Sequence, residues 1–277
     1  MDGQNVIVCR THFVDSRLLE FARMIQGSKS YNVIFAVDES SKQVDTFEFE
    51  KISLTREAFE PLQVFTEVAD IFWRCGDYPL YLARRRYPNC DRFWLIEYDV
   101  TINRTDPVSF FKEIDATHEH DFISAHFRKA EDWWTWGYPM RDYSSDVYRA
   151  YFPLVRMSGR ALDFAMAERA RATGGFRQIF QERHLEWPND ESFIATTLQN
   201  NGFQCADYND LGTYYNDKTF WMSVLVHPTS LPPHDGLIYH AVRTGKHYLK
   251  IVLREWCIDP LPEPAELLRL VGTDWTL

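Results

Sequence analysis

Glu97 and Asp99 are the residues whose type and spacing carry the most chemistry. They lie two apart in the run Phe93–Val100, FWLIEYDV, which is otherwise fit for burial. Read as one strand, the run turns alternate residues the same way, so both carboxylates project together. Two like charges on one face repel and are costly to desolvate. A divalent cation relieves that cost, and magnesium and manganese both take oxygen ligands and accept substrate phosphates as co-ligands. By spacing alone an alternative stays open, in which the strand ends at Glu97 and both acids face water.

The longer segment Trp73–Val100, WRCGDYPLYLARRRYPNCDRFWLIEYDV, resembles the core of a GT-A glycosyltransferase. In that family a helix precedes a hydrophobic strand ending in a DxD motif, which binds the metal and the diphosphate of a sugar nucleotide. The segment is similar to a group with a Gly-Asp-Tyr turn, here Gly76, Asp77 and Tyr78, before a WxIExDV strand, here Trp94, Ile96, Glu97, Asp99 and Val100. The first acid is Glu rather than Asp, so the resemblance puts more weight on Asp99 as metal ligand and leaves Glu97 between metal and donor. It implies manganese or magnesium as cofactor. It also implies a late histidine completing the metal site, which fits His240 with the basic Lys246 nearby for the diphosphate; His227 is the rival and His234 a weaker third. For an inverting reaction it implies an acidic base at the start of a late helix, where Trp187-Pro188-Asn189-Asp190-Glu191 stands. Asp190 is the first choice and Glu191 the second, although acids in a first helical turn also cap it and complement its dipole. The resemblance implies that Arg10, His12 and Asp38 contact the donor's base or ribose, and Asp77 in its glycine turn can do the same; the alternative for each is an ordinary polar group of a loop. Trp133, Trp134 and Trp136 are candidates to stack on an acceptor sugar, or else to anchor their loop to the core.

These residues need elements to place them. Val6–Cys9 reads as a buried strand, residues 18–25 as a helix stopped by Gly27, and Val33–Val37 as a second strand ending at Asp38. Glu67–Phe72 reads as helix, Trp73–Asp77 as a turn and Tyr78–Tyr87 as helix again. Asp106 caps a helix that Pro107 begins. Phe122–Phe127 and Tyr148–Met157 are strands. Gly159–Thr173 is a helix expected to end at Gly174-Gly175, and another starts at Asn189 or Asp190 and runs to about Gly202. Phe203–Ala206, Trp221–Val226 and Leu237–His240 complete the elements. The alternation predicts an α/β fold with one mostly parallel open sheet and helices on both faces. Ligands of such sheets bind beyond the carboxyl ends of the strands, which directs attention to Arg10, His12, Asp38, Glu97, Asp99, His126 and His240. A single domain over 1–277 is expected, with a donor half to about 105, an acceptor half at about 106–258 and a docked tail at 259–277.

Bulk properties narrow the function. A net charge of -10 argues against a nonspecific nucleic-acid binder. The basic run Arg84, Arg85 and Arg86 reads as a solvated helix end, or as a diphosphate or membrane-surface contact. The five cysteines form no CxxC, and three of them, Cys9, Cys205 and Cys257, sit in apolar or strand-like runs and read as small buried hydrophobes of a reducing compartment. Met1–Asn5 is polar and leads straight into a strand, and no apolar run reaches membrane-span length, so the expected location is cytoplasmic, with the inner membrane face as an option. The expected partners are a nucleotide-sugar donor and a glycan or lipid-linked acceptor. Two other functions fit the fold: a sugar-1-phosphate nucleotidyltransferase, whose Gly-rich basic loop is not found at Val6–Asp15, and a noncatalytic glycan-binding protein.

Overall fold

The computed structural model describes residues 5–183, 186–245 and 248. They fall into two compact units, one formed by the chain up to Tyr98 with Phe111–Thr213, the other by Asp99–Phe110 with the chain from Tyr214. In chain order the elements are β1 (Asn5–Thr11), α1 (Ser16–Gly27), β2 (Tyr31–Asp38), β3 (Glu50–Leu54), α2 (Arg56–Phe59), α3 (Ile71–Arg74), α4 (Asp77–Arg86), β4 (Arg92–Glu97), β5 (Thr101–Ile102), α5 (Val108–Thr117), β6 (Phe122–Lys129), α6 (Tyr138–Arg141), β7 (Tyr148–Ser158), α7 (Gly159–Arg183), α8 (Asp190–Asn200), β8 (Cys205–Asp207), α9 (Tyr208–Leu211) and β9 (Ile238–Tyr239).

The first unit holds a seven-stranded sheet in the order β3-β2-β1-β4-β7-β6-β8. All neighbours are parallel except at β7, which runs antiparallel to both β4 and β6. The fold is therefore α/β, with a mostly parallel open sheet. Alternation along the central strands sends side chains to two separate layers of helix. Val6 and Val8 of β1 and Phe93 and Leu95 of β4 join a core with Tyr78 and Tyr81 of α4, Leu162 and Ala165 of α7, and Ile194 and Leu198 of α8. Trp94 points the other way. Its ring meets Phe111 of α5 edge-on at 4.9 Å, and Phe111 in turn contacts Tyr31 of β2 and Phe21 of α1. The second unit has a two-stranded antiparallel sheet, β5 with β9.

Four expectations need correction. Trp221–Val226 forms no strand and has only an isolated bridge from Val226 to Val242. The run Phe93–Val100 is not one strand: β4 ends at Glu97, and Tyr98 and Asp99 form a turn. The ladder partners stop there, since Arg10 faces Glu97 on β1 while the β7 pairing ends at Ile96. The expected helix at Glu67–Phe72 is reduced to the short α3, which starts at Ile71 and includes Trp73 and Arg74 of the expected turn. Finally, α7 continues through Gly174-Gly175. Each glycine costs about 1 kcal/mol there, and beyond them Phe176 packs on Phe65 at 5.0 Å and Trp187 at 4.7 Å, an aromatic contact that offsets it. The tail at 259–277 lies outside the described residues.

Candidate functional site

The first unit gathers its charged groups at the carboxyl ends of β1 and β4. Register pairs Arg10 with Glu97, and an Arg10 Nη1–H donates to Glu97 Oε1 at 2.9 Å. The other guanidinium nitrogen donates to the carbonyls of Phe72 at 2.6 Å and Trp73 at 2.7 Å, so Arg10 also holds α3 in place. Asp190 Oδ2 lies 3.9 Å from Arg10 and accepts the backbone N–H of Gly76 at 2.7 Å. Asp190 itself is positioned by the start of α8, where the side chain of Asn189 accepts the N–H of Ser192 and caps the helix. Gly76 is required by close approach rather than by backbone angle. A Cβ there would sit 2.5 Å from Arg10 Nη1 and 2.6 Å from Asp190 Oδ2.

Burial pushes Asp190 up to about 7, against the pull of Arg10 and with the push of Asp77. Burial and then the charge of Asp190 push Glu191 up to about 8, against the N–H of Phe152 and the charge of Arg149. Glu191 keeps some exposure while Asp190 is buried. Two adjacent carboxyl groups therefore titrate near neutrality, the range in which a proton acceptor works at ordinary pH.

Asp77 has no exposed surface. It receives Arg169 Nε at 2.8 Å and Nη2 at 3.2 Å, and the hydroxyl of Tyr81 at 2.9 Å. Arg169 also donates to the carbonyl of Pro188 at 2.8 Å and lies over the Phe193 ring at 3.8 Å. This pair thus ties α4 and α7 to the chain just before Asp190.

The second unit contains Asp99, His240 and Arg243. Antiparallel pairing of Thr101 with Tyr239 and the Val242 N–H on the Asp99 carbonyl at 2.7 Å bring them together. Asp99 is fully buried. Its Oδ2 accepts Arg243 Nε at 2.9 Å, with Nη2 at 2.8 Å. Its Oδ1 is 3.3 Å from His240 Nε2 and accepts no hydrogen bond. Burial acts to raise the Asp99 carboxyl, but His240 and Arg243 outweigh it and hold it down to about 2. Asp99 and His240 are close enough to share one ion. Two ligands bound at adjacent octahedral positions, each at about 2.1 Å, stand about 3 Å apart. A buried carboxylate oxygen without a donor beside an imidazole nitrogen fits a divalent cation of the magnesium or manganese type.

The remaining candidates are placed as follows. His12 is exposed, edge-on to Phe13 at 4.9 Å and to Tyr98 at 5.0 Å. Asp38 ends β2 and accepts the Ser40 N–H at 2.9 Å. Trp133 is 65% exposed, whereas Trp134 is buried under the Arg149 guanidinium at 5.5 Å from its ring. Trp136 is half-buried against Trp73. His227 Nδ1 meets Thr229 Oγ1 at 2.8 Å, and His126 is buried with a left-handed backbone in the irregular part of β6. Lys246 and Cys257 lie outside the described residues. The basic run is engaged within the chain: Arg84 with Asp163, Arg85 with the Pro61 carbonyl, and Arg86 with Glu50. Among the described residues Cys9, Cys75, Cys90 and Cys205 are free thiols, and no helix is long and apolar enough to cross a membrane.

Arg169, Arg243 and Trp73 escaped the sequence reading. Arg169 lies in the helix read at Gly159–Thr173, and its partner Asp77 is 92 positions away. Arg243 left one clue, its place three residues after His240 in an apolar run.

No protein-family model matches the chain, and no curated protein matches it. Among solved structures it is similar to a glycosyltransferase involved in glycosylation of the major capsid of PBCV-1, with TM-score 0.41 and 12% identity over 90% of this chain and 98% of that one. It is similar to core-mannan synthase A of Aspergillus fumigatus in its Mn/GDP form, with TM-score 0.40 and 10% identity over 75% of this chain and 73% of that one. It is also similar to apo mouse xyloside xylosyltransferase 1, with TM-score 0.40 and 10% identity over 93% of this chain and all 100% of that one.

Proposed function

We propose that this chain is a metal-dependent glycosyltransferase of the GT-A type, moving a sugar from a nucleotide donor to a hydroxyl of a glycan or lipid-linked acceptor. The observation that carries the reading is the Asp99–His240 pair: a buried carboxylate with one oxygen 3.3 Å from an imidazole nitrogen and outside hydrogen-bonding geometry. That pair is assigned as metal ligands. A divalent ion bound there supplies positive charge against the leaving diphosphate.

Arg10, His12, Asp38 and Glu97 are assigned to the donor. Arg10 and Glu97 are already oriented by their mutual bond, and the exposed His12 offers a ring beside Phe13 and Tyr98 for a nucleotide base. Lys246 is kept in this set on sequence alone. Asp77 acts through Arg169, as a positioning residue for the start of α8.

In the reaction the acceptor oxygen forms a bond to the anomeric carbon while the bond from that carbon to the diphosphate oxygen breaks. The acceptor proton passes to the Asp190–Glu191 pair, with Glu191 the more exposed member. A dedicated proton acceptor supports inversion at the anomeric carbon.

The test is thermal unfolding with UDP, GDP or CMP, each with and without manganese. Stabilisation by one nucleotide that needs the metal, and that disappears in Asp99→Ala, is the expected result. Metal-dependent nucleotide stabilisation that survives Asp99→Ala would remove the assignment.

A further inference from the structure

Trp73 is 59% exposed, on a four-residue helix whose buried side chain is Ile71. Its ring meets Trp136 with centroids 5.4 Å apart and planes 56° apart, and the Arg74 guanidinium lies over the Trp136 ring at 5.5 Å. Arg74 is itself fixed, by Asp70 at 3.0 Å and by the Trp187 carbonyl at 3.2 Å. The exposed Trp73 indole thus stands beside a second indole and a restrained cation, which together make an apolar surface with a charged edge.

The backbone that carries Trp73 and Arg74 adjoins the candidate site. The Trp73 carbonyl accepts Arg10 at 2.7 Å, the same Arg10 that bonds Glu97 and faces Asp190. Arg74 reaches Trp187, three residues before Asp190. Charged groups border the rings, with Asp70 and Glu186 both near Arg74. An acyl chain needs a continuous apolar strip, which these charges interrupt. A hexopyranose has the matching chemistry: a C–H face for the indoles and hydroxyl edges for the carboxylates and the guanidinium.

We propose that Trp73, buttressed by Trp136 and Arg74, is the stacking platform for a hexopyranose unit of the acceptor glycan. The identification of that sugar as acceptor rests on the transferase reading above; the existence of the platform does not. Trp73 is a specificity-determining residue here, and its ring sets which face of the acceptor lies toward the Asp190–Glu191 pair.

The test uses the full chain without nucleotide or metal. Calorimetry and saturation-transfer NMR are run with cellotetraose, mannotetraose and chitotetraose, and with phosphatidylglycerol vesicles as the lipid arm. At least one tetrasaccharide is expected to bind. Trp73→Ala should weaken it about tenfold or more, the scale of one lost ring stack, while Trp73→Tyr keeps most of the affinity. No binding of any tetrasaccharide, equal affinity in Trp73→Ala, or a loss confined to vesicle binding would each overturn the platform. A ring pair that only staples its loop would lower the melting temperature in Trp73→Ala and leave sugar affinity unchanged. If wild-type protein binds a tetrasaccharide through Trp73 but shows no metal-dependent nucleotide binding, the platform stands and the transferase reading falls.

Discussion

Asp190 in the first unit and Asp99 in the second are the same residue type, both almost wholly out of solvent, yet their carboxyl groups move in opposite directions. Asp190 is pushed up to about 7 and Asp99 is held at about 2. Burial acts upward on both. The difference lies in what faces them. The nearest cation to Asp190 stands off at 3.9 Å, already bonded to Glu97, and a second carboxylate at Asp77 works against it. Asp99 takes two guanidinium nitrogens at 2.8 and 2.9 Å on one oxygen, and an imidazole nitrogen lies 3.3 Å from the other. Desolvation alone therefore does not say what a buried acid does; the distance and prior engagement of its cation do. One unit keeps an acid near neutrality, and the other keeps its acid anionic.

The largest expected effect comes from removing one member of the proposed proton-accepting pair. Glu191→Gln should lower kcat by about 10²–10⁴, and the rise of wild-type activity through pH 7 to 8 should vanish with it. A steady-state pH profile checks both. An unchanged profile would remove Glu191 from the chemistry.

Next, Arg243→Gln strips Asp99 of its guanidinium. Breaking such a buried pair should cost about 3–5 kcal/mol in urea unfolding. A near-neutral result would mean that the second unit's anion does not depend on that partner.

The third effect is a slope. Asp190 has a folded value above its unfolded one, so the folded state holds the extra proton between the two. Its contribution is present below about pH 4 and is lost as pH rises toward 7. Wild-type unfolding free energy should therefore fall by about 2 kcal/mol from this group between pH 5 and 7, and Asp190→Asn should flatten that fall. Asp99 has the reverse sign, with its contribution present above about pH 4 and lost as pH drops toward 2. A slope in Asp190→Asn as steep as wild type would erase the contrast between the two acids.

The smallest expected effect is Gly76→Ala, which forces Arg10 or the Asp190 carboxylate to shift. Overpacking of this kind costs about 1–2 kcal/mol, and chemical denaturation would detect it. An alanine tolerated without loss would show that the contact yields easily.

Much of the frame was legible before the structure. Val6–Cys9 and Val33–Val37 are short apolar runs that only buried strands explain, and Asn189 ahead of two acids marked the start of α8. Local pattern failed where distant packing or a missing ladder partner ruled. Nothing near Gly174 reveals that Phe176 will meet Phe65 and Trp187. FWLIEYDV leaves open a strand that stops at Glu97, as observed, but does not reveal that Asp99 is then buried rather than in water. In the candidate site, acids could be picked by type and position, but not their charge states. Those depend on Arg10 beside Asp190 and Arg243 beside Asp99, partners fixed only by the fold.

The most direct test of the contrast is manganese affinity, measured by electron paramagnetic resonance in the presence of a nucleoside diphosphate. Asp99→Ala should weaken it by well over about tenfold, while Asp190→Asn should bind as wild type does. Equal affinity in Asp99→Ala and wild type, or a loss confined to Asp190→Asn, would contradict the account.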